Sequence, residues 1–191
     1  MTKGIRYHSD SGASYEVLEN IPPECLYGFG ESNVFKVKSL DERWKPLRAL
    51  KRYKQNRTRD IAFNHELEVL KSLKNGKKSF DGAVRIYDSS QKSFFLVLEY
   101  VNGRSFDDYM LQKGLGNFSL LETVALTRQF SGILCNLLSQ FGIVHRDVKP
   151  ANILIKTSFM HRYVKPFFMN QSDLNLEKLA KPGKIKFCDL S

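Results

Sequence analysis

The sequence is poor in cysteine, with only Cys25, Cys135 and Cys188, far apart and with no C-x-x-C pair. That spacing supports no disulfide framework and makes a reducing compartment the default. There is no apolar run long enough to cross a bilayer. The start, MTKGIRYHSDSG, is polar and has no signal-peptide core. The expectation is a soluble intracellular chain, cytoplasmic or nuclear, without a membrane segment. Acidic residues are also in deficit, 20 against 30 basic ones, for a net charge of +10. Such an excess suits a polyanion, whether nucleotide, nucleic acid, acidic protein or membrane surface, and does not choose among them. At 191 residues the chain has room for one ordinary domain or two small lobes.

What is present is concentrated in Gly142–Leu154, GIVHRDVKPANIL. It lies between an apolar helical pattern and a short apolar strand. Asp147 offers a carboxylate that could accept a proton from an attacking hydroxyl. Lys149 is a cation two residues on, suited to phosphate charge. The side-chain oxygen of Asn152 is a hard ligand of the kind Mg²⁺ prefers. Phosphoryl transfer asks a protein for positioned reactants, a proton acceptor and cations where charge develops. The segment resembles, residue for residue, the H-R-D-x-K-P-x-N catalytic loop of eukaryotic-type protein kinases, and Lys149 stands where the serine/threonine class carries its lysine.

Further motifs appear in the family's order. Residues 1–23 read as a flexible N-terminal segment. A brief apolar stretch at Glu24–Tyr27 leads into Gly28-Phe29-Gly30 and then Val34–Val37, a hairpin pattern. By itself G-x-G fits any glycine turn; here it resembles the kinase Gly-rich loop, with Asn33 where a third glycine is expected, or with the loop one residue short and Val34 as the usual valine. Ala49-Leu50-Lys51 resembles the A-x-K of the third kinase strand, inside a basic run, Arg43–Arg59, that otherwise reads as a solvated face or loop. Phe63, Leu67, Leu70 and Leu73 share one face of a helix expected over Asp60–Leu73, with Asp60 or Asn64 as cap. That helix resembles the kinase C-helix, which implies a Glu66–Lys51 ion pair and leaves Glu68 toward solvent.

Two strands are expected at Ala83–Tyr87 and Phe94–Tyr100, joined by a turn at Asp88–Lys92. The second resembles the strand entering the kinase hinge, with Leu98 as gatekeeper and Glu99 and Val101 presenting backbone to adenine. Helices follow over Ser105–Gln112 and Leu120–Phe141, the latter with Cys135 as a small buried hydrophobe, and then a strand at Ile153–Ile155. The resemblance implies that Leu154 borders the nucleotide. An insert at 156–183 contains His161–Pro166, an echo of the loop with Tyr163 in place of the aspartate. Lys184–Cys188 alternates like a strand and runs into Asp189-Leu190-Ser191, which resembles D-F-G. Asp189 and Asn152 are then the implied Mg²⁺ ligands, and Cys188 is implied to pack beneath the nucleotide.

The implied fold is α+β: a small antiparallel-sheet N-lobe with a C-helix over 24–101, and a truncated helical C-lobe over 102–191. The implied activity is ATP- and Mg²⁺-dependent phosphoryl transfer to Ser/Thr hydroxyls of a protein. Asp147 and Lys149 are implied to do the chemistry; Gly28, Gly30, Lys51 and Glu66 are implied to hold the phosphates. No sequence here matches the family's later substrate-binding helices. The alternative is therefore a non-catalytic decoy that binds nucleotide or a kinase partner. A small-molecule kinase of related fold ranks below both, since Lys149-Pro150 favours protein substrates. A nucleic-acid binder ranks last, because no base-stacking motif accompanies the charge.

Overall fold

The computed structural model describes residues 4–20, 32–42, 46–75, 80–113, 118–156 and 185–188. These fall into two compact units. The first draws on Met1–Phe80 and Val84–Tyr100, the second on Asp81–Ala83 and Val101–Asp189.

Alternation of apolar and polar residues builds the first unit. Strands β1 (Arg6–His8), β2 (Ser14–Asn20), β3 (Ser32–Ser39), β4 (Leu47–Tyr53), β5 (Ile86–Ser90) and β6 (Phe95–Glu99) form one antiparallel sheet in the order β1-β2-β3-β4-β6-β5. Period-two alternation sends Tyr15, Val17, Phe35, Val37, Leu50, Phe95 and Val97 into one buried cluster. The sheet curls, and the turn after β1 reaches strand β5. The Asp10 N–H donates to the Ser89 carbonyl (3.3 Å) and the Asp10 carboxylate accepts from Ser90 Oγ (2.9 Å) and the Gln91 N–H (2.7 Å). Asp88 accepts from Ser11 Oγ (2.8 Å) and the Tyr15 hydroxyl (2.9 Å). Burial pushes the Asp88 carboxyl up, but these bonds outweigh it and hold the group below its usual range.

The expected flexible segment at residues 1–23 is thereby corrected, because β1 and β2 fall within it. Strand β3 takes its antiparallel partner from Ser14–Asn20, ahead of the Glu24–Tyr27 stretch, which lies outside the described residues. Among its described residues the basic run is a solvated loop only in part, at residues 54–58. Leu47–Tyr53 is an inner strand, and Arg48 is buried, paired with Glu42 and stacked 3.8 Å from the Tyr87 ring centre. Strand β5 begins three residues later than expected, so Asp88 belongs to the strand rather than to the turn.

Helix α1 (Arg59–Asn75) buries Phe63, Leu67, Leu70 and Leu73, the expected face. Neither expected cap holds: Asp60 sits in the first turn and Asn64 inside the helix.

In the second unit, β7 (Gly103–Ser105), β8 (Ile153–Lys156) and β9 (Ile185–Phe187) form a three-stranded antiparallel sheet in that order. Gly103 is required by close approach: a Cβ there would stand 1.9 Å from the Ile155 carbonyl oxygen. Helix α2 (Phe106–Lys113) packs Phe106 against Phe118 and Phe130, and Phe130 meets Phe187 edge-on. Helix α3 (Leu120–Phe141) occupies the expected span. It starts at a capping box, with Ser119 and Glu122 exchanging side-chain and backbone bonds. Leu126 and Leu137 are buried, whereas Leu138 is exposed. Cys135 is exposed too, which corrects its expected burial; three residues from Leu138, it falls on the same outward side of the helix. No helix among the described residues is long and apolar enough to cross a membrane.

Candidate active site

In the first unit, Lys51 lies in the middle of strand β4, between Val34 on β3 and Leu96 on β6. Its side chain points toward α1, where Glu66 sits one turn beyond Phe63. Lys51 Nζ donates to Glu66 Oε2 at 2.6 Å. The pair is deeply placed, with side-chain exposures of 11% and 2%. A second donor reaches the same oxygen, the hydroxyl of Tyr53. Glu68, the rival glutamate, is exposed. The helix register is decided by the buried positions Phe63, Leu67 and Leu70, which leave Glu66 on the sheet side.

At the end of β6, the Glu99 N–H is committed to the Arg85 carbonyl (2.8 Å), so it is not a donor Glu99 can offer a ligand. Val101 lies in the second unit and is partly exposed.

In that second unit, Gly142 ends α3 in the left-handed region (φ 66°), its N–H bonded to the Leu138 carbonyl at 2.9 Å. The chain leaves the helix there and enters the loop. His145 is buried, its ring edge-on to Phe187 at 5.1 Å, so it anchors the loop to the sheet. Arg146 takes a positive φ of 63°, uncommon for a residue with a Cβ, and the Asp147 N–H turns back to the His145 carbonyl at 2.8 Å. This reversal presents the Asp147 carboxylate beside Lys149, whose Nζ donates to Asp147 Oδ2 at 2.6 Å. Asn152 is buried, and its Nδ2 donates to both the Asp147 carbonyl (3.0 Å) and Oδ2 (2.9 Å). Its own carbonyl accepts from the Cys188 N–H (3.0 Å) and from Sγ (3.4 Å), which ties the loop to the end of β9. The hydrogen bond from Lys149 is the main reason the Asp147 carboxyl is held below its usual range, and Asn152 adds to it.

The structure thus brings Lys51 together with Glu66, and Asp147 with Lys149 and Asn152. Leu154 lies on β8, between Ser105 and Lys186. Gly28, Gly30, Asp189 and all of the insert at 156–183 but its first residue lie outside the described residues. The donor chemistry around Asn152 fits a hard cation. With Nδ2 committed to Asp147, the atom the amide presents to a cation is Oδ1, an oxygen. Tyr53 was missed in the sequence. Its signal was its place two residues after Lys51, which puts both on one face of a strand.

Comparison with known proteins matches residues 27–189 to the protein kinase domain family. Serine/threonine-protein kinase cds1 of Schizosaccharomyces pombe is 26% identical over 167 residues, covering 81% of this chain and 34% of that protein. Dual specificity protein kinase KNS1 of Saccharomyces cerevisiae is 29% identical over 159 residues, 78% of this chain and 21% of that one. A probable myosin light chain kinase of Dictyostelium discoideum is 34% identical over 92 residues, 48% and 22% of the two chains. The matches thus span about a third or less of those relatives' lengths. Motif order, the Asp147–Lys149–Asn152 loop and the family match agree, and the chain belongs to the eukaryotic-type protein kinase family.

Proposed function

We propose that the chain transfers a phosphoryl group from ATP to serine or threonine hydroxyls of a protein substrate. The observation that carries the reading is the hold on Asp147. Its carboxylate is fixed by Lys149 and Asn152 and its acidity is strengthened, so at neutral pH it is an ionised acceptor with a defined direction. In this reading Asp147 orients the substrate hydroxyl and takes its proton as the new O–P bond forms and the bond from the γ-phosphorus to the bridging oxygen breaks, with ADP as the leaving group. A weak base suffices, because in a loose transition state the bond from phosphorus to the attacking oxygen is little formed and the proton leaves late. Lys149 places a cation beside the reacting oxygens. In the first unit, Lys51, steered by Glu66, binds nucleotide phosphate. Val101 would present backbone to the adenine, as would Glu99 through its carbonyl, its N–H being bonded to Arg85, with Leu154 against the base. Gly28 and Gly30 would let the backbone approach the phosphates. Asn152 and Asp189 would hold magnesium. Bound magnesium and ATP supply the transferable group and the charge that neutralises it. A serine/threonine preference follows from Lys149, which stands in the position that class uses.

The test is Mg-ATP-dependent phosphorylation of a generic protein substrate, comparing the chain with Asp147→Asn. Removing the proton acceptor is expected to lower the rate by at least ~100-fold. Equal rates would sink the assignment. Mg-ATP binding that is lost in Lys51→Ala, with no transfer by either chain, would move the reading to a nucleotide-binding decoy.

A further inference from the structure

Glu66 is 1% exposed, and its Oε2 takes two donors from one strand, Lys51 Nζ and the Tyr53 hydroxyl. We propose that Tyr53 is a positioning residue, whose hydroxyl keeps the Glu66 carboxylate turned toward Lys51. The inference rests on the nucleotide-binding role given to Lys51 above and adds a third member to the pair.

The argument begins with the strand. Residues two apart on β4 share a face, so the side chains of Lys51 and Tyr53 both project toward α1. Tyr53 is itself buried, and its N–H donates to the Phe94 carbonyl at 2.9 Å, which fixes the strand end. Its ring stands edge-on to Phe63, 5.5 Å between centres at 89°, and Phe63 stands edge-on to Phe94 at 5.4 Å. Phe63 is three residues before Glu66, on the same side of the helix. Lys51 Nζ lies 5.2 Å from the Tyr53 ring centre. Tyr53 therefore touches the lysine, the glutamate and the helix that carries the glutamate.

A single ion pair fixes the distance between two flexible side chains but leaves the carboxylate free to rotate. A second donor, carried on a ring with two torsions and packed against Phe63, fixes its direction as well. Ring and hydroxyl have separable duties. The ring sets where the helix lies. The hydroxyl sets where the carboxylate points.

Tyr53→Phe keeps the ring and deletes the hydroxyl, so it separates the two. Two quantities are to be measured on the chain and on this variant. One is the Kd for Mg-ATP. The other is the extent of reductive methylation of Lys51 without nucleotide, read by mass spectrometry. Tyr53→Phe is expected to weaken Mg-ATP binding about fivefold and to raise Lys51 methylation severalfold, with the melting temperature lowered by a few degrees. In Glu66→Gln, which has no carboxylate to hold, adding Tyr53→Phe should alter Kd by less than about twofold. A purely structural Tyr53 would give the same factor in both backgrounds. That result overturns the proposal, as do a Kd and a methylation level within about twofold of the starting chain. If the starting chain does not bind Mg-ATP, the nucleotide reading of Lys51 fails, and methylation alone decides for or against Tyr53.

Discussion

Two lysine–carboxylate contacts of equal length, 2.6 Å, stand in the two units and behave differently. Lys51–Glu66 is buried, at 11% and 2% side-chain exposure; Lys149–Asp147 is half open, at 43% on each side. Distance alone makes them equivalent. Solvent separates them. Water screens the Lys149 pair and competes for both partners, so the lysine can let go at little cost while Asn152 still holds the carboxylate. The Lys51 pair has lost most of its hydration, and each partner depends on the other. One contact suits a fixed part of the scaffold and the other a group that must change partners.

Breaking each pair in turn should expose the contrast. Lys51→Met leaves Glu66 buried with its lysine gone. The expected loss is about 3–5 kcal/mol in urea unfolding of the chain. A loss below about 1 kcal/mol would mean the pair is effectively solvated. Lys149→Ala should cost no more than about 1 kcal/mol of stability, and 0.5 M salt should shrink even that. Its effect should instead fall on phosphoryl transfer, with a rate drop of about 100-fold. A variant that loses stability but keeps its rate would reverse the comparison.

The smallest effect is expected in acid. Asp10, Asp88 and Asp147 are all held below the usual carboxylate range by the hydrogen bonds they accept. A carboxyl whose pKa is lower folded than unfolded stabilises the fold fully above its unfolded value of about 3.9. The contribution disappears as pH falls through the folded value. Protection of the β1 and β2 amides against hydrogen exchange, taken relative to the intrinsic exchange rate at each pH, should therefore be constant from neutrality to about pH 4 and fall below it. Asp88→Asn should abolish most of that acid step. A step that begins above pH 5 would point to other groups.

Much of this was readable before any coordinates. Helical spacing placed Phe63, Leu67 and Leu70 on one face, and that face alone brings Glu66 to Lys51. The loop from His145 to Asn152 is local, so residue type and spacing picked out its members, though not the bonds from Lys149 and Asn152 to Asp147. The failures share a different character. Asp10 bonding to Ser90, and Ser11 to Asp88, join small polar residues about 80 positions apart, and nothing in either stretch records the other. The N-terminal strands were hidden for that reason: their stretch is polar and short, and it gains its order from partners far along the chain. Arg48 was read as solvated because a charged side chain usually is, yet Glu42 and the Tyr87 ring take it in. Cys135 went the other way. Its helix is apolar by pattern, but its own position faces outward.

The turn at Ser9–Gly12 has a consequence beyond tethering. Strand β5 ends the sheet on one side, and an outermost strand offers a row of unmatched main-chain groups on which a foreign strand can grow. Here the chain's own turn occupies part of that row, through the Asp10 N–H on the Ser89 carbonyl and the Asp10 carboxylate on the Gln91 N–H. The protein covers part of its own sheet edge with this turn, and a would-be templating partner finds that stretch taken.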